Sequence, residues 1–234
     1  MGIIGGTDAK EFEFPSQVSI QWNVDGFNTA CGGSIIDANW VLTAAQCCGG
    51  ATANYSIYYK LQINQSLFDV TTDVRKAVQI IQHPDWTPMF LQNDFCLIQV
   101  DTPFDLSNPK KAQPACLPTD CSTEKCNPGE DVLIVGLGRI YEFGPFSETL
   151  LKTYQVIMED SVCASQYSVW DSTAGRYFCT WIENQGMAGA CDSGDSGGPL
   201  FCYKNGYLMV QGIFQFNEEC DGKVMNFVFF DYFF

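Results

Sequence analysis

Histidine is nearly absent from this chain: 234 residues contain one, His83. Chemistry that needs an imidazole base, or a metal site built on imidazoles, is confined to that position. Cations are scarce as well, with 12 Lys and Arg against 27 Asp and Glu and a net charge of −15. Phosphate binding needs clustered Lys and Arg, so nucleic acid is excluded as a partner. No apolar run approaches the length of a membrane span. The opening Met1-Gly2-Ile3-Ile4 has neither a basic n-region nor an h-region, so neither a membrane partner nor a signal peptide is read here. Internal repeats and low-complexity stretches are missing too.

Cysteine, by contrast, is plentiful. Twelve of them are too many for an ordinary cytosolic protein and imply an oxidising, secreted setting. With 46% hydrophobic and 14% aromatic residues the chain can bury a sizeable core, and all-β chains of this length often form one domain. A pI near 4.2 creates an acidic field that favours basic protein patches through encounter rate, or that does no more than keep the protein soluble.

Phe14 to Trp22 alternates apolar and polar residues, with Val18, Ile20 and Trp22 on one face, the period of a half-buried strand. Cys31 to Ile36 and Trp40 to Ala45 form a strand pair about a turn at Asp37-Ala38-Asn39. Further strands are expected at Tyr55 to Tyr59, Asp73 to Gln82, Asp94 to Val100, Val132 to Gly138, Leu150 to Met158, Leu200 to Tyr203 and Tyr207 to Phe216. Lys110 to Pro118 reads as a crossover. A short helix is expected from Asp160 to Tyr167, opened by Asp160 or Ser161 as N-cap.

Gly194-Asp195-Ser196-Gly197-Gly198-Pro199 places a serine on a tight turn between glycines, where only Gly tolerates the backbone angles. These positions resemble the nucleophile loop of the chymotrypsin-like serine proteases, and Ile3-Ile4-Gly5-Gly6 resembles their mature N-terminus. The strand pair Cys31 to Ala45 matches as well. The resemblance spans nearly the whole chain and implies an all-β, chymotrypsin-like fold of two six-stranded barrels with short helices. The family closes with a C-terminal helix, and the apolar run Phe227 to Phe234 stops early in it. Residues 1–234 are then one peptidase-like domain, with approximately 14–110 in the first barrel and 111–234 in the second. Tyr55 to Tyr59, Asn93 to Ile98 and Ser107 to Pro114 resemble the mite trypsin-like group.

The family's catalytic histidine lies in a Thr-Ala-Ala-His-Cys stretch; here the stretch is Thr43-Ala44-Ala45-Gln46-Cys47. A carboxamide orients a hydrogen bond but takes up no proton near neutral pH, so Ser196 is left without a general base. Asp94 matches the triad aspartate. His83, beside Pro84, falls in a surface loop in the resembled fold and is given a structural role. Loss of the base lowers turnover on the order of a million-fold, or ~8 kcal/mol of barrier. The family inserts a free Ile ammonium beside the acid before the serine; Met1-Gly2 leaves Ile3 with an amide, so Asp195 is expected to lack that partner. The oxyanion position Gly194 is displaced by an extra residue, since Asp192 and Ser193 stand where the family has one.

The remnant specificity pocket differs as well. Gly189, then Ala190, stands where trypsin-like pockets carry aspartate, and Gln215-Phe216-Asn217 replaces Ser-Trp-Gly. Lys223 occupies a pocket-lining glycine position, where it fills the pocket or offers its ammonium to an anion. These lesions weigh against a single engineered change at Gln46.

Three disulfides carry over from the resemblance: Cys31–Cys47, Cys163–Cys179 and Cys191–Cys220. Cys48, Cys96, Cys116, Cys121, Cys126 and Cys202 cannot be paired from sequence, since six cysteines allow 15 connectivities. Cys96 is a candidate buried free thiol. Cys202 matches a family cysteine whose usual partner position is Val132, so it pairs elsewhere or stays reduced. Asn54-Tyr55-Ser56 and Asn64-Gln65-Ser66 are N-glycosylation sequons. The stretch from Tyr55 to Phe68 lacks the several acids of the trypsin calcium loop, and no metal or cofactor is expected.

These features together resemble the scabies mite inactivated serine protease paralogues. That resemblance implies a secreted pseudoprotease, present in the mite gut lumen, that binds host plasma proteins such as complement components. The rival is a serine endopeptidase with residual or unusual activity, and a third reading is a decoy that binds through the old cleft.

Overall fold

The computed structural model describes residues 3, 5–24, 27–61, 73–89, 92–118, 124–141, 144–166, 177–181, 192–217 and 225–229. Among the described residues the first half contributes seven strands: β1 (Thr7–Asp8), β2 (Gln17–Val24), β3 (Phe27–Asp37), β4 (Trp40–Thr43), β5 (Ser56–Tyr59), β6 (Asp73–Gln82) and β7 (Cys96–Val100). Strands β2 to β7 close into a barrel in the order β2-β3-β4-β7-β6-β5. The second half contributes β8 (Asp131–Gly136), β9 (Leu151–Ile157), β10 (Tyr177–Trp181), β11 (Pro199–Lys204), β12 (Tyr207–Asn217) and β13 (Met225–Phe229). They form a sheet in the order β1-β9-β10-β13-β12-β11-β8, and β8 also pairs with β9, so this sheet curls back on itself. The chain therefore has the trypsin-like all-β architecture expected of it. Helix is limited to short pieces: among the described residues these include α1 (Asp160–Gln166) and a single turn, α2 (Asp192–Asp195).

Period-2 burial accounts for several strands. In β7, Cys96, Ile98 and Val100 point inward while Leu97 and Gln99 are half-buried. The same alternation buries Ile57 and Tyr59 in β5. In β2 it fails: Val18 and Ile20 are buried as expected, but so are Gln17, Ser19 and Gln21. This strand has its second face covered as well, and Gln21 Nε2 is satisfied by Ser19 Oγ at 3.3 Å. It begins at Gln17, not Phe14, and Asp37 ends β3, leaving only Ala38-Asn39 in the turn. There the Asp37 carboxylate accepts from the Asn39 N–H at 3.0 Å.

The crossover segment ties the two halves together. Ala115 N–H donates to Ile35 O of β3 at 2.7 Å, and Cys116 O accepts from Val210 of β12 at 2.8 Å. Leu133, Phe201 and Val210, on the outside of the second sheet, join the apolar cluster of the first barrel, and Phe201 stacks on Phe14 at 5.7 Å. Inside the second sheet lies a separate cluster that includes Ile3, Val132, Ile134, Leu200 and Phe214.

Two expectations are corrected. Helix α1 begins at Asp160 as expected, but the Glu159 carbonyl accepts from the Val162 and Cys163 N–H groups, so neither Asp160 nor Ser161 is the cap. Phe227, Val228 and Phe229 lie on β13 between β10 and β12, not in a helix, and residues 230–234 fall outside the described set. Strands β10 and β13 were not read from the sequence at all.

Candidate active site

Gln46 sits on a 3-10 turn, Ala45–Cys48, directly after β4. Two disulfides clamp that turn. Cys31–Cys47 fastens it to β3, with Cα atoms 6.3 Å apart, and Cys48–Cys96 fastens it to the start of β7, with Cα atoms 6.7 Å apart. Cys96 is therefore half of a bridge, not a free buried thiol, and it lies two residues after Asp94. Gln82 Nε2 donates to Ala45 O at 2.9 Å and holds the turn from a third side. The cross-links thus fix Gln46 against Asp94.

Asp94 is fully buried. Its Oδ1 accepts the Gln46 backbone N–H at 2.8 Å, and its Oδ2 accepts Gln46 Nε2 at 3.0 Å. Gln46 Nε2 also donates to the Gln215 carbonyl at 2.7 Å. A carboxamide has two N–H groups, so both are committed to oxygen acceptors, which fixes the amide orientation and turns Oε1 away from Asp94. Burial raises the Asp94 pKa to about 7, against the lowering effect of hydrogen bonds from Gln46, the Gln215 side chain and Ala45. The acid thus holds its proton to a much higher pH than an ordinary carboxyl.

Ser196 follows α2 and is 6% exposed. Its Oγ donates to the Gln215 carbonyl at 3.3 Å, the same oxygen that takes Gln46 Nε2. The Ser196 carbonyl accepts from Gly32 N–H of β3 at 2.8 Å. Gly32 and Gly198 approach so closely that a Cβ at Gly32 would lie 2.7 Å from Gly198 Cα. Gly197 has φ +79°, and a Cβ there would overlap Thr43 Oγ1. The glycines of the loop are thus required by its contact with β3 and β4. Chemically, the cluster is a hydrogen-bonded set of one carboxyl, two carboxamides and one hydroxyl, with no imidazole among them.

Asp195, expected to lack the Ile3 ammonium, accepts Gly138 N–H through Oδ1 at 2.7 Å, and the side chain is buried. A Cβ at Gly136 or Gly138 would overlap this carboxylate. Ile3 is buried in the second apolar cluster. Gly194 has φ +98°, with Gly138 Cα and the Phe146 ring each 2.8 Å from where its Cβ would be. His83 accepts the Asp85 N–H at Nδ1, 3.1 Å away, and closes a local turn.

Of the pocket positions, Gln215 is buried and feeds the Asp94 network. Phe216 and Asn217 end β12, opposite Asn226 and Met225. Gly189, Ala190 and Lys223 lie outside the described residues, as do Cys191, Cys220, Cys121 and Asn64. Asn54 is exposed at the end of a 3-10 turn. Cys163 is bonded to Cys179 and Cys202 to Cys126, while Cys116 is exposed and reduced. Val132 does lie opposite Cys202 in the sheet, but the bridging sulfur comes from six residues upstream. Cys126, Glu130 and Cys202 are the one group of potential metal ligands among the described residues. Their sulfurs are bonded to each other and Lys204 pairs with Glu130 at 2.6 Å, so these donors are taken.

Two contributors were missed in the sequence. The Gln215 side chain reaches Asp94, and Gly138 supplies the N–H for Asp195. A long amide at the position of the family's serine was the available signal for the first.

Residues 3–230 match the Trypsin family. Chymotrypsin-C of Rattus norvegicus is 33% identical over 93% of this chain and 79% of its own length. Chymotrypsin-like elastase family member 1 of Rattus norvegicus is 31% identical over 92% of this chain and 78% of its own length. The solved structure of GrC superposes with a TM-score of 0.82 at 24% identity, covering 97% of this chain and 94% of the other.

Proposed function

We propose that this chain, which belongs to the trypsin family, is a proteolytically inactive member that works as a secreted binding protein. The observation that carries the proposal is the state of Gln46. Its carboxamide stands beside Asp94, with both N–H groups given to Asp94 and the Gln215 carbonyl. In serine proteases the imidazole holds that place, takes the hydroxyl proton as the serine attacks, and returns it to the leaving amine. A carboxamide stays unprotonated near neutral pH and performs neither transfer. Asp94 is engaged through Gln46, so the Ser196 proton has no base in line to receive it.

The partner class follows from charge and from resemblance. An excess of 15 acidic residues favours basic protein surfaces, and the resemblance to the scabies mite paralogues suggests host plasma proteins, complement components among them. Complexes formed this way weaken as salt rises. Disulfides in the described part suit an extracellular protein, and Asn54 is open to glycosylation.

The rival reading is residual endopeptidase activity, favoured by the retained Ser196 and Asp94 and by the names of the relatives. Labelling with a fluorophosphonate, alongside a peptide library, separates the two. No Ser196 adduct and no cleavage are expected. An adduct that disappears in Ser196→Ala overturns the proposal.

A further inference from the structure

The second barrel carries an aromatic row that the cleft does not use. Strands β10, β9, β8 and β11 lie side by side, and their registers align Trp181 with Val156 and Val156 with Asp131. One step beyond the paired Cys202 and Val132, the next residue of β11 beside Asp131 is Tyr203. The Lys204–Glu130 ion pair shows that this register continues. Side chains alternate along strands, so these four residues share the outer face with Leu133 and Phe201, which the first barrel covers. Tyr154, opposite Leu133, stands beside the row on the same face.

The covering stops short of the row. Trp181 is 41% exposed, Tyr154 63% and Tyr203 70%, and Asp131 is exposed between them. Elsewhere the few cations of this chain cap its aromatic rings: Arg139 lies 4.8 Å from the Phe146 centroid, Lys111 5.3 Å from Phe12 and Arg75 4.9 Å from Tyr59. Among the described residues none lies over Trp181, Tyr154 or Tyr203, and no cation pairs with Asp131. Lys204, the nearest along β11, is held by Glu130. Open ring faces with an unpaired carboxylate between them form a receptor for cations the chain does not itself supply.

We propose that the face formed by Trp181, Asp131, Tyr203 and Tyr154 is a docking surface for a Lys- or Arg-bearing extended polypeptide segment. This rests on the reading of the chain as a binder of basic protein surfaces and gives that binding an address. Adjacent strands are roughly 4.8 Å apart, so the backbones at Trp181 and Tyr203 are separated by about 14 Å along the curved sheet, and their outward rings lie farther apart because the sheet closes on itself. An extended peptide rises about 3.3 Å per residue, so basic side chains four or more positions apart meet the two rings. A basic residue between them meets Asp131.

A fluorescein-labelled nine-residue peptide with Arg at its first, fifth and ninth positions and Gly or Ser elsewhere tests this by anisotropy with the full chain. Binding at 50 mM NaCl is expected to weaken at least tenfold at 300 mM. The double variant Trp181→Ser/Tyr203→Ser is expected to lose at least tenfold in affinity, and Tyr203→Phe, which keeps the ring, to retain it. Asp131→Asn flattens the salt dependence, whereas Asp85→Asn on the first barrel changes neither quantity. Thermal melting of each variant checks that the fold is intact. Unchanged affinity in the serine double variant overturns this address while leaving a basic partner in place. No binding by the wild-type chain at 50 mM overturns the basic partner as well, and equal binding of an all-Gly/Ser peptide refutes charge as the basis.

Discussion

Asp94→Asn isolates the energetic consequence of burying an acid beside two carboxamides. In the folded chain its pKa is raised from 3.8 to about 7, chiefly by burial. A carboxyl whose pKa is raised on folding favours the folded state while protonated, and that contribution fades as pH climbs from the unfolded value to the folded one. Each unit is worth about 1.4 kcal/mol, so ionisation removes roughly 4 kcal/mol between about pH 4 and pH 7. Glu13 and Glu130, paired with Lys152 and Lys204, shift the other way. Their contributions are present above the ordinary carboxylate range and are lost in acid, so they add no fall in stability between pH 5 and 7, where Asp94 acts. Urea unfolding across that interval is expected to show wild-type stability falling by about 1.4 kcal/mol per unit. The curve for Asp94→Asn is expected to be flat. The substitution itself costs on the order of 1 kcal/mol through a mismatched hydrogen bond, so the slope and not the offset is the test. Parallel curves for the two proteins would refute a raised Asp94.

Three further outcomes follow from the same contacts. Cys48→Ser/Cys96→Ser opens a cross-link with a sequence separation of 48, which is expected to lower unfolding free energy by about 4 kcal/mol in the chain-entropy account, read by chemical denaturation. Gly138→Ala drives a methyl group into the Asp195 carboxylate and breaks its hydrogen bond; a loss of about 3 kcal/mol or failure to fold is expected, seen as a lowered melting temperature. Gln46→His alone is expected to restore no appreciable peptide cleavage, because the altered residues at 215–217 remain. Robust turnover in a peptide-library assay would show that the missing imidazole is the only lesion.

Much of the fold was legible because it is written in local pattern. Strands β5 and β7 were expected in place, the glycine–serine loop matched a known turn, and both barrels followed from that match. Where β2 has both faces covered, alternation misled, since Gln17, Ser19 and Gln21 are buried although polar. Strands β10 and β13 escaped because their pairing with each other and with β9 and β12 is what makes them strands. The substitution at Gln46 was visible from a single aligned stretch. That Gln215 closes the same network was not, because 169 residues separate the two.

By itself, the sequence determined the family, the missing imidazole and the acidic charge, since each depends only on which residues are present and in what local order. Only the tertiary structure decided the rest. It chose Cys48–Cys96 and Cys126–Cys202 among many possible pairings, because a bridge needs Cα atoms brought within reach, and folding alone sets that distance. It raised Asp94, because desolvation depends on what packs around a carboxyl. It also lined up Trp181, Asp131 and Tyr203 from three separate segments, because sheet register, not chain position, makes residues neighbours.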